Sequence, residues 1–159
     1  MFTQSDEWTG KPFTTEKILG NIQKYIEKSE EGDLKDFSAT YDRFWVLLDR
    51  SQDDRVCGMV GLERLGDSDI GELRRMHLRD GGIRGRGLGG TMLSLLLQYA
   101  WTHDYNEIQL STPEHNERSV HFYQKHGFKF WKRGQLGGDA YGTELFVWLR
   151  MHRPQEIIK

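Results

Sequence analysis

Apolar positions along this 159-residue chain recur in two periods, and the switches between them mark out the elements. Ile18, Ile22, Tyr25 and Ile26 repeat at helical spacing, which predicts an amphipathic helix over residues 15–28 with Thr14 or Thr15 as its cap. Residues 29–42 are polar, anchored by Leu34, Phe37 and Tyr41, and read as loop or short helix. Strand patterns then occupy residues 44–48 and 56–65, joined as a hairpin through Asp53-Asp54-Arg55. A turn at residues 66–69 leads to a third strand over residues 70–78. In residues 88–103, Met92, Leu93, Leu95, Leu96, Leu97, Ala100 and Trp101 cover much of a helical circumference, predicting a largely buried helix. A strand over 107–111 follows, then a helix over 114–126 with Asn116 as a cap and Gly127 at its C′ position. Strands over 128–131 and 143–149 flank a glycine-rich loop at 134–142. The order is a helix, three antiparallel strands, then α-β-α-β-β, which predicts a mixed α/β sheet of α+β type with right-handed crossovers.

Composition narrows the function classes. The chain carries no internal repeat or low-complexity tract and only three prolines, which favours one domain over residues 1–159. A formal net charge of -2 gives no support to a nucleic-acid partner. Cys57, the single cysteine, sits in an apolar run and reads as a buried free thiol in a reducing compartment. No apolar run reaches the roughly 18 residues of a membrane span. The first residues lack the basic start and apolar core of a signal peptide. A soluble protein of the cytoplasm, or of the nucleus in a eukaryote, is expected, with no membrane partner. Six histidines invite a metal reading, but His121 and His126 are badly spaced for one helical face and Cys57 is distant, so no metal is expected. The acidic segments 30–33 and 67–69 read as solvated faces, or as attraction for a cationic acceptor.

The densest chemical signal is Arg84-Gly85-Arg86-Gly87-Leu88-Gly89-Gly90, directly before the long apolar helix. A backbone without Cβ atoms can wrap a phosphate, and the amides of the following helix N-terminus point at the anion. Thr91 adds a hydroxyl, and Arg84 and Arg86 are cations that either pair with phosphate or remain solvated. Gly85-x-Gly87-x-x-Gly90 matches a dinucleotide fingerprint, but three strands precede it and no acidic residue ends the next strand. A Walker loop is excluded because no Gly-Lys-Ser/Thr follows. An Arg-Gly nucleic-acid segment would be disordered rather than feed an apolar helix.

Read as Arg84-x-x-Gly87-x-Gly89, the loop resembles the acetyl-CoA signature Q/R-x-x-G-x-G/A of the GNAT superfamily of N-acetyltransferases. Asn116-x-x-Ser119-x-x-Phe122-Tyr123-x-x-x-Gly127-Phe128 resembles the second motif of that family, with Ser in place of Ala. The resemblance runs from about residue 44 to residue 149. The hairpin resembles the camello-like branch more loosely; that branch typically carries a membrane segment, so its substrates are not carried over.

The resemblance implies a GNAT-like fold and acetyl transfer from acetyl-CoA to a primary amine of a small molecule or a protein. The pyrophosphate would lie on Gly85 to Gly90, including Leu88, with Thr91 beside it. The pantetheine arm would pair with the third strand near Met76, His77 and Leu78, where the family's sheet splays, and Asn116 would contact it. An amine with a pKa near 10.4 must lose a proton before attack, and the leaving thiolate must gain one. Tyr123 matches the family's acid. Glu72, on the strand entering the loop, is the favoured base, burial raising its proton affinity; its bland alternative is an exposed glutamate paired with Arg74. His77 is the other candidate base, because histidine titrates near 6.5. No activated nucleophile is visible, so direct attack in a ternary complex is expected rather than an acetyl-enzyme. The competing readings are a CoA-binding module without catalysis and a dinucleotide-binding protein. Exposed edge strands would suit a homodimer.

Overall fold

The computed structural model describes residues 31–33, 35–79, 85–136 and 144–155. The helix expected at residues 15–28, Arg84 and most of the loop at 134–142 lie outside them. The described elements run α1 (Phe37–Thr40), β1 (Arg43–Asp49), β2 (Arg55–Arg64), β3 (Ile70–Leu78), α2 (Leu88–Thr102), β4 (Glu107–Pro113), α3 (Glu117–Lys125), β5 (Lys129–Gln135) and β6 (Leu145–His152). The strands hydrogen-bond in the order β1-β2-β3-β4-β6-β5, the mixed sheet expected from the element order. No described helix is long and apolar enough to cross a membrane.

The chain divides into two compact units, residues 38–110 with 150–159 and residues 1–37 with 111–149. In the first, β1 and β2 form the expected antiparallel hairpin, with Asp53 and Asp54 in left-handed backbone at φ 59 and φ 55. β2 and β3 are antiparallel, and β3 and β4 parallel. Val60, Leu62, Leu73, Met92, Leu93, Leu96, Ala100, Tyr105 and Ile108 form its core. Cys57 is buried, its thiol directed at the Leu47 carbonyl at 3.3 Å. α2 is more one-sided than its sequence suggests. Met92, Leu93, Leu96 and Ala100 are buried, but Leu95 is 47% exposed, because Leu95 falls off the stripe that faces the sheet. Tyr105 closes the base of this core. Its hydroxyl donates to Asp42 at 2.5 Å, and the Arg64 guanidinium lies 3.8 Å from its ring centroid.

In the second unit Val120, Tyr123, Phe128, Phe146, Val147 and Leu149 are buried. α3 begins at Glu117, not at residue 114. The Asn116 side chain accepts the Ser119 N–H at 3.2 Å as N-cap, while the Glu114 N–H is committed to the Leu145 carbonyl at 2.8 Å. Gly127, at φ 99, ends the helix as expected. β4 and β5 run further than their apolar patterns, to Pro113 and Gln135, and β6 reaches His152, because ladder pairing extends strands past the hydrophobic run.

Candidate active site

The residues expected to carry the chemistry fall into two sets, one in each unit. In the first unit, Gly85 and Gly87 adopt positive φ of 81 and 76, and a Cβ on either would meet nothing within 4 Å. The loop is therefore open space bordered by backbone. Gly87 is the N-cap of α2, and among the described residues no side chain caps the first amides of this 15-residue helix. The Thr91 hydroxyl donates to the Gly87 carbonyl at 3.2 Å, within the helix. Arg86 is exposed. An open cavity of about 560 Å³, lined by Leu47, Asp49, Arg50, Cys57, Arg86 and Leu88 among others, flanks the loop.

β3 reaches this loop through an irregular segment. Met59 pairs with His77 and Gly61 with Arg74, so Val60 alone faces both Arg75 and Met76. Arg75 takes φ 57 in this bulge, a left-handed conformation that costs a non-glycine residue roughly 1–2 kcal/mol. The parallel register with β4 ends at Glu72↔Gln109, while β3 continues to Leu78. A Cβ on Gly58 would lie 2.8 Å from Leu78 and 3.1 Å from the Met92 sulfur, so this glycine lets the end of β3 and the start of α2 meet. Glu72 is half-buried and directly opposite Glu63. Arg74 Nη1 donates to Glu63 Oε2 at 2.6 Å. His77 is exposed and Met76 half-buried.

In the second unit Asn116 is the α3 cap already described, its carboxamide nitrogen taking no part in the cap. Tyr123 is 7% exposed, edge-on to Phe122 and Phe128 at 5.2 and 5.7 Å between ring centroids. Burial pushes its hydroxyl above the ordinary phenol value, which keeps the proton in place at neutral pH.

Four further charged residues in this unit escaped sequence reading. Glu114 is buried, and Arg133 Nη2 donates to its Oε2 at 2.7 Å while lying 2.5 Å from Oε1, off the hydrogen-bond line. His115 Nδ1 lies 3.1 Å from Glu144 Oε1, the histidine 57% and the glutamate 18% exposed. Glu114 and His115 adjoin the Asn116 motif, which was their only signal. Arg133 lies on β5 and Glu144 immediately before β6, and neither carries a spacing signal. Among the described residues no group of three His, Cys, Asp or Glu side chains is arranged to hold a metal.

Known proteins resemble this chain in sequence and in fold. Human N-acetyltransferase 8B is 29% identical over 136 residues, covering 80% of this chain and 55% of that protein. The N-acetylaspartate synthetase of Danio rerio is 26% identical over 113 residues, covering 68% of this chain and 39% of that protein. The chain thus spans about half or less of the length of these relatives. Among solved structures, a GNAT family acetyltransferase from Elizabethkingia anophelis with acetyl-CoA bound superposes with a TM-score of 0.63 at 14% identity, covering 91% of this chain and 94% of that one. Mutant forms of the spermidine/spermine N-acetyltransferase of Vibrio cholerae superpose with a TM-score of 0.60 at 19% identity, covering 80% and 76%. The profile of the Acetyltransferase (GNAT) family matches residues 7–128, more than half of the sequence, and the chain belongs to that family.

Proposed function

We propose that this chain is an acetyl-CoA-dependent N-acetyltransferase that moves an acetyl group to a primary amine by direct attack. The observation that carries the reading is the α2 N-terminus behind Gly85 and Gly87, where no described side chain caps the helix and a Cβ on either glycine would meet nothing within 4 Å. A pyrophosphate fits such a terminus, because several N–H groups and the helix dipole act on it without an intervening side chain. The fit is by backbone: Thr91 is turned to the Gly87 carbonyl, so Gly85, Arg86, Gly87, Leu88, Gly89 and Gly90 supply the contacts. The Arg75 bulge supports placing the pantetheine amides beside Met76, His77 and Leu78, since it interrupts regular pairing where a strand-like ligand needs backbone donors and acceptors.

Glu72 takes the first proton, from the incoming ammonium. Tyr123 hydrogen-bonds the departing sulfur and donates to it as charge develops there. The Vibrio cholerae neighbour is named for polyamine substrates, and spermidine is accordingly the first acceptor to test.

A melting scan with acetyl-CoA, NAD and ATP tests the reading. At 100 times its Kd the true ligand stabilises the fold by about 2.7 kcal/mol, or some 5–11 °C in a chain of this size. No shift with acetyl-CoA, or an equal one with NAD, refutes it. Tyr123→Phe and Glu72→Gln then separate an enzyme from a CoA-binding module. Both variants should keep the acetyl-CoA shift and lose thiol release by about 10²-fold.

A further inference from the structure

We propose that β1 is the interface through which two copies of this chain pair, antiparallel and edge to edge, in a register centred on Val46. The inference is independent of the acetyltransferase reading.

β1 ends the strand order of the sheet, and among the described residues β2 is the only strand that pairs with it. Such an edge presents a row of backbone donors and acceptors, which natural proteins blunt with lysine, proline or a bulge. The seven residues of β1, Arg43-Phe44-Trp45-Val46-Leu47-Leu48-Asp49, contain no lysine and no proline. The irregularity in the hairpin adds its extra residue to β2: Leu47 faces Gly58 and Leu48 faces Val56, so Cys57 is the surplus and β1 stays regular. Five apolar residues in a row therefore lie along the edge. Val46 is 55% exposed and Leu48 39%, and Val56, opposite Leu48, is 53% exposed. Val46 and Leu48 share a face, because alternate residues of a strand point the same way.

The order of charges selects a second copy as the occupant. Residues 42–50 read Asp-Arg, five apolar residues, Asp-Arg. A two-fold axis through Val46, perpendicular to the sheet, sets Phe44 opposite Leu48, Trp45 opposite Leu47 and Val46 opposite Val46 of the second copy. The same register sets Arg43 opposite Asp49 at both ends, so opposite charges flank the apolar pairs. Asp42 and Arg50, just outside the strand, also meet with opposite signs. Moving the axis by one residue breaks this match. Centred on Trp45, it puts Arg43 opposite Leu47; centred on Leu47, it puts Trp45 opposite Asp49. One register is therefore favoured. The side chains are placed for it. The Arg43 guanidinium and the Trp45 ring both lie 5.5 Å from the centroid of the Tyr99 ring on α2, which puts Arg43, and by alternation Asp49, on one face. Asp49 is held at the strand end, its Oδ1 accepting the Ser51 N–H at 3.0 Å and the Ser51 hydroxyl at 2.6 Å.

Sedimentation equilibrium of the full chain, over about a hundredfold range of concentration, tests the inference. The wild type should approach twice the mass of one chain and stop there. Val46→Lys sets two ammonium groups together at the axis and should weaken dimerisation at least tenfold, equivalent to about 1.4 kcal/mol. Arg43→Glu and Asp49→Arg each place like charges at both ends, and each should be monomeric where the wild type is dimeric. Mixed together, these two variants regain opposite charges at both ends and should form a one-to-one heterodimer. Arg43→Glu and Val46→Lys leave the Asp49 turn contacts intact, so their outcome decides the matter even if Asp49→Arg does not fold. The inference is overturned if the wild type stays monomeric or assembles beyond two copies, if Val46→Lys dimerises like the wild type, or if two folded charge variants stay monomeric when mixed. A monomeric wild type whose Tm falls with Val46→Lys assigns the edge to another segment of the same chain, and overturns the inference as well.

Discussion

Gly87→Ala tests the phosphate loop against a matched control. Gly66 and Gly87 hold similar left-handed backbone, φ 59 and 76, and a Cβ on either meets nothing within 4 Å. Steric contact within the protein therefore contributes nothing at either site. An alanine in left-handed backbone costs roughly 1–2 kcal/mol, offset by about 0.4–1 kcal/mol from the stiffer unfolded chain. Both variants should be destabilised by up to about 1.5 kcal/mol, which in a chain of this length lowers Tm by no more than about 6 °C. Ligand response should differ. Gly66 lies in the β2–β3 turn, whereas Gly87 caps α2, where the added methyl projects into the space assigned to the pyrophosphate. Melting curves at rising acetyl-CoA concentration separate the two effects. Gly66→Ala should keep the wild-type increment, while Gly87→Ala should need at least tenfold more ligand for the same shift, equivalent to about 1.4 kcal/mol. Equal increments in the two variants would refute the argument that open backbone at the α2 N-terminus binds the cofactor.

Three further outcomes follow from the packing. Burial holds the hydroxyls of both Tyr105 and Tyr123 above their ordinary value, with the Asp42 hydrogen bond reinforcing the effect at Tyr105. Because the folded state binds these protons more tightly, their contribution to stability is intact below pH about 10 and declines above it as the unfolded state ionises. Ultraviolet titration should show these two phenols ionising only together with unfolding, and early ionisation of all six tyrosines would contradict it. Arg133→Met leaves the Glu114 carboxylate, 5% exposed, without its cation; about 3–5 kcal/mol should be lost by denaturant titration, and adding Glu114→Leu should recover part of it. A single loss below 1 kcal/mol would show that the pair is not desolvated. Gly61→Ala places a Cβ 2.5 Å from Tyr41 and 2.8 Å from Phe44, so it should cost roughly 1–3 kcal/mol, and an unchanged Tm would show that these rings yield freely.

The legible parts of this protein were those written in local chemistry. Ile70 to Leu78 reads as a strand from its alternation, and Asn116 and Gly127 mark the ends of α3, because capping is decided within a few residues. α3 starts at Glu117, later than its local pattern predicts, because the Glu114 amide pairs with Leu145, far along the chain. Leu95 reads as interior from sequence yet is exposed, because an apolar side chain does not state which face of its helix will meet the sheet.

By itself the sequence determined the order of the described elements, the glycine-rich run before α2 and the residue types on hand, since all three depend on neighbours along the chain. Only the tertiary structure decided that Arg74 binds Glu63 across the β2–β3 pair, and that the register shifts at Arg75 and Met76 between Met59 and Gly61. It also decided that Glu144 and Arg133 lie against the turn before Asn116. These contacts join residues that strand register brings together, and register is fixed by burial of whole faces, which no local spacing records.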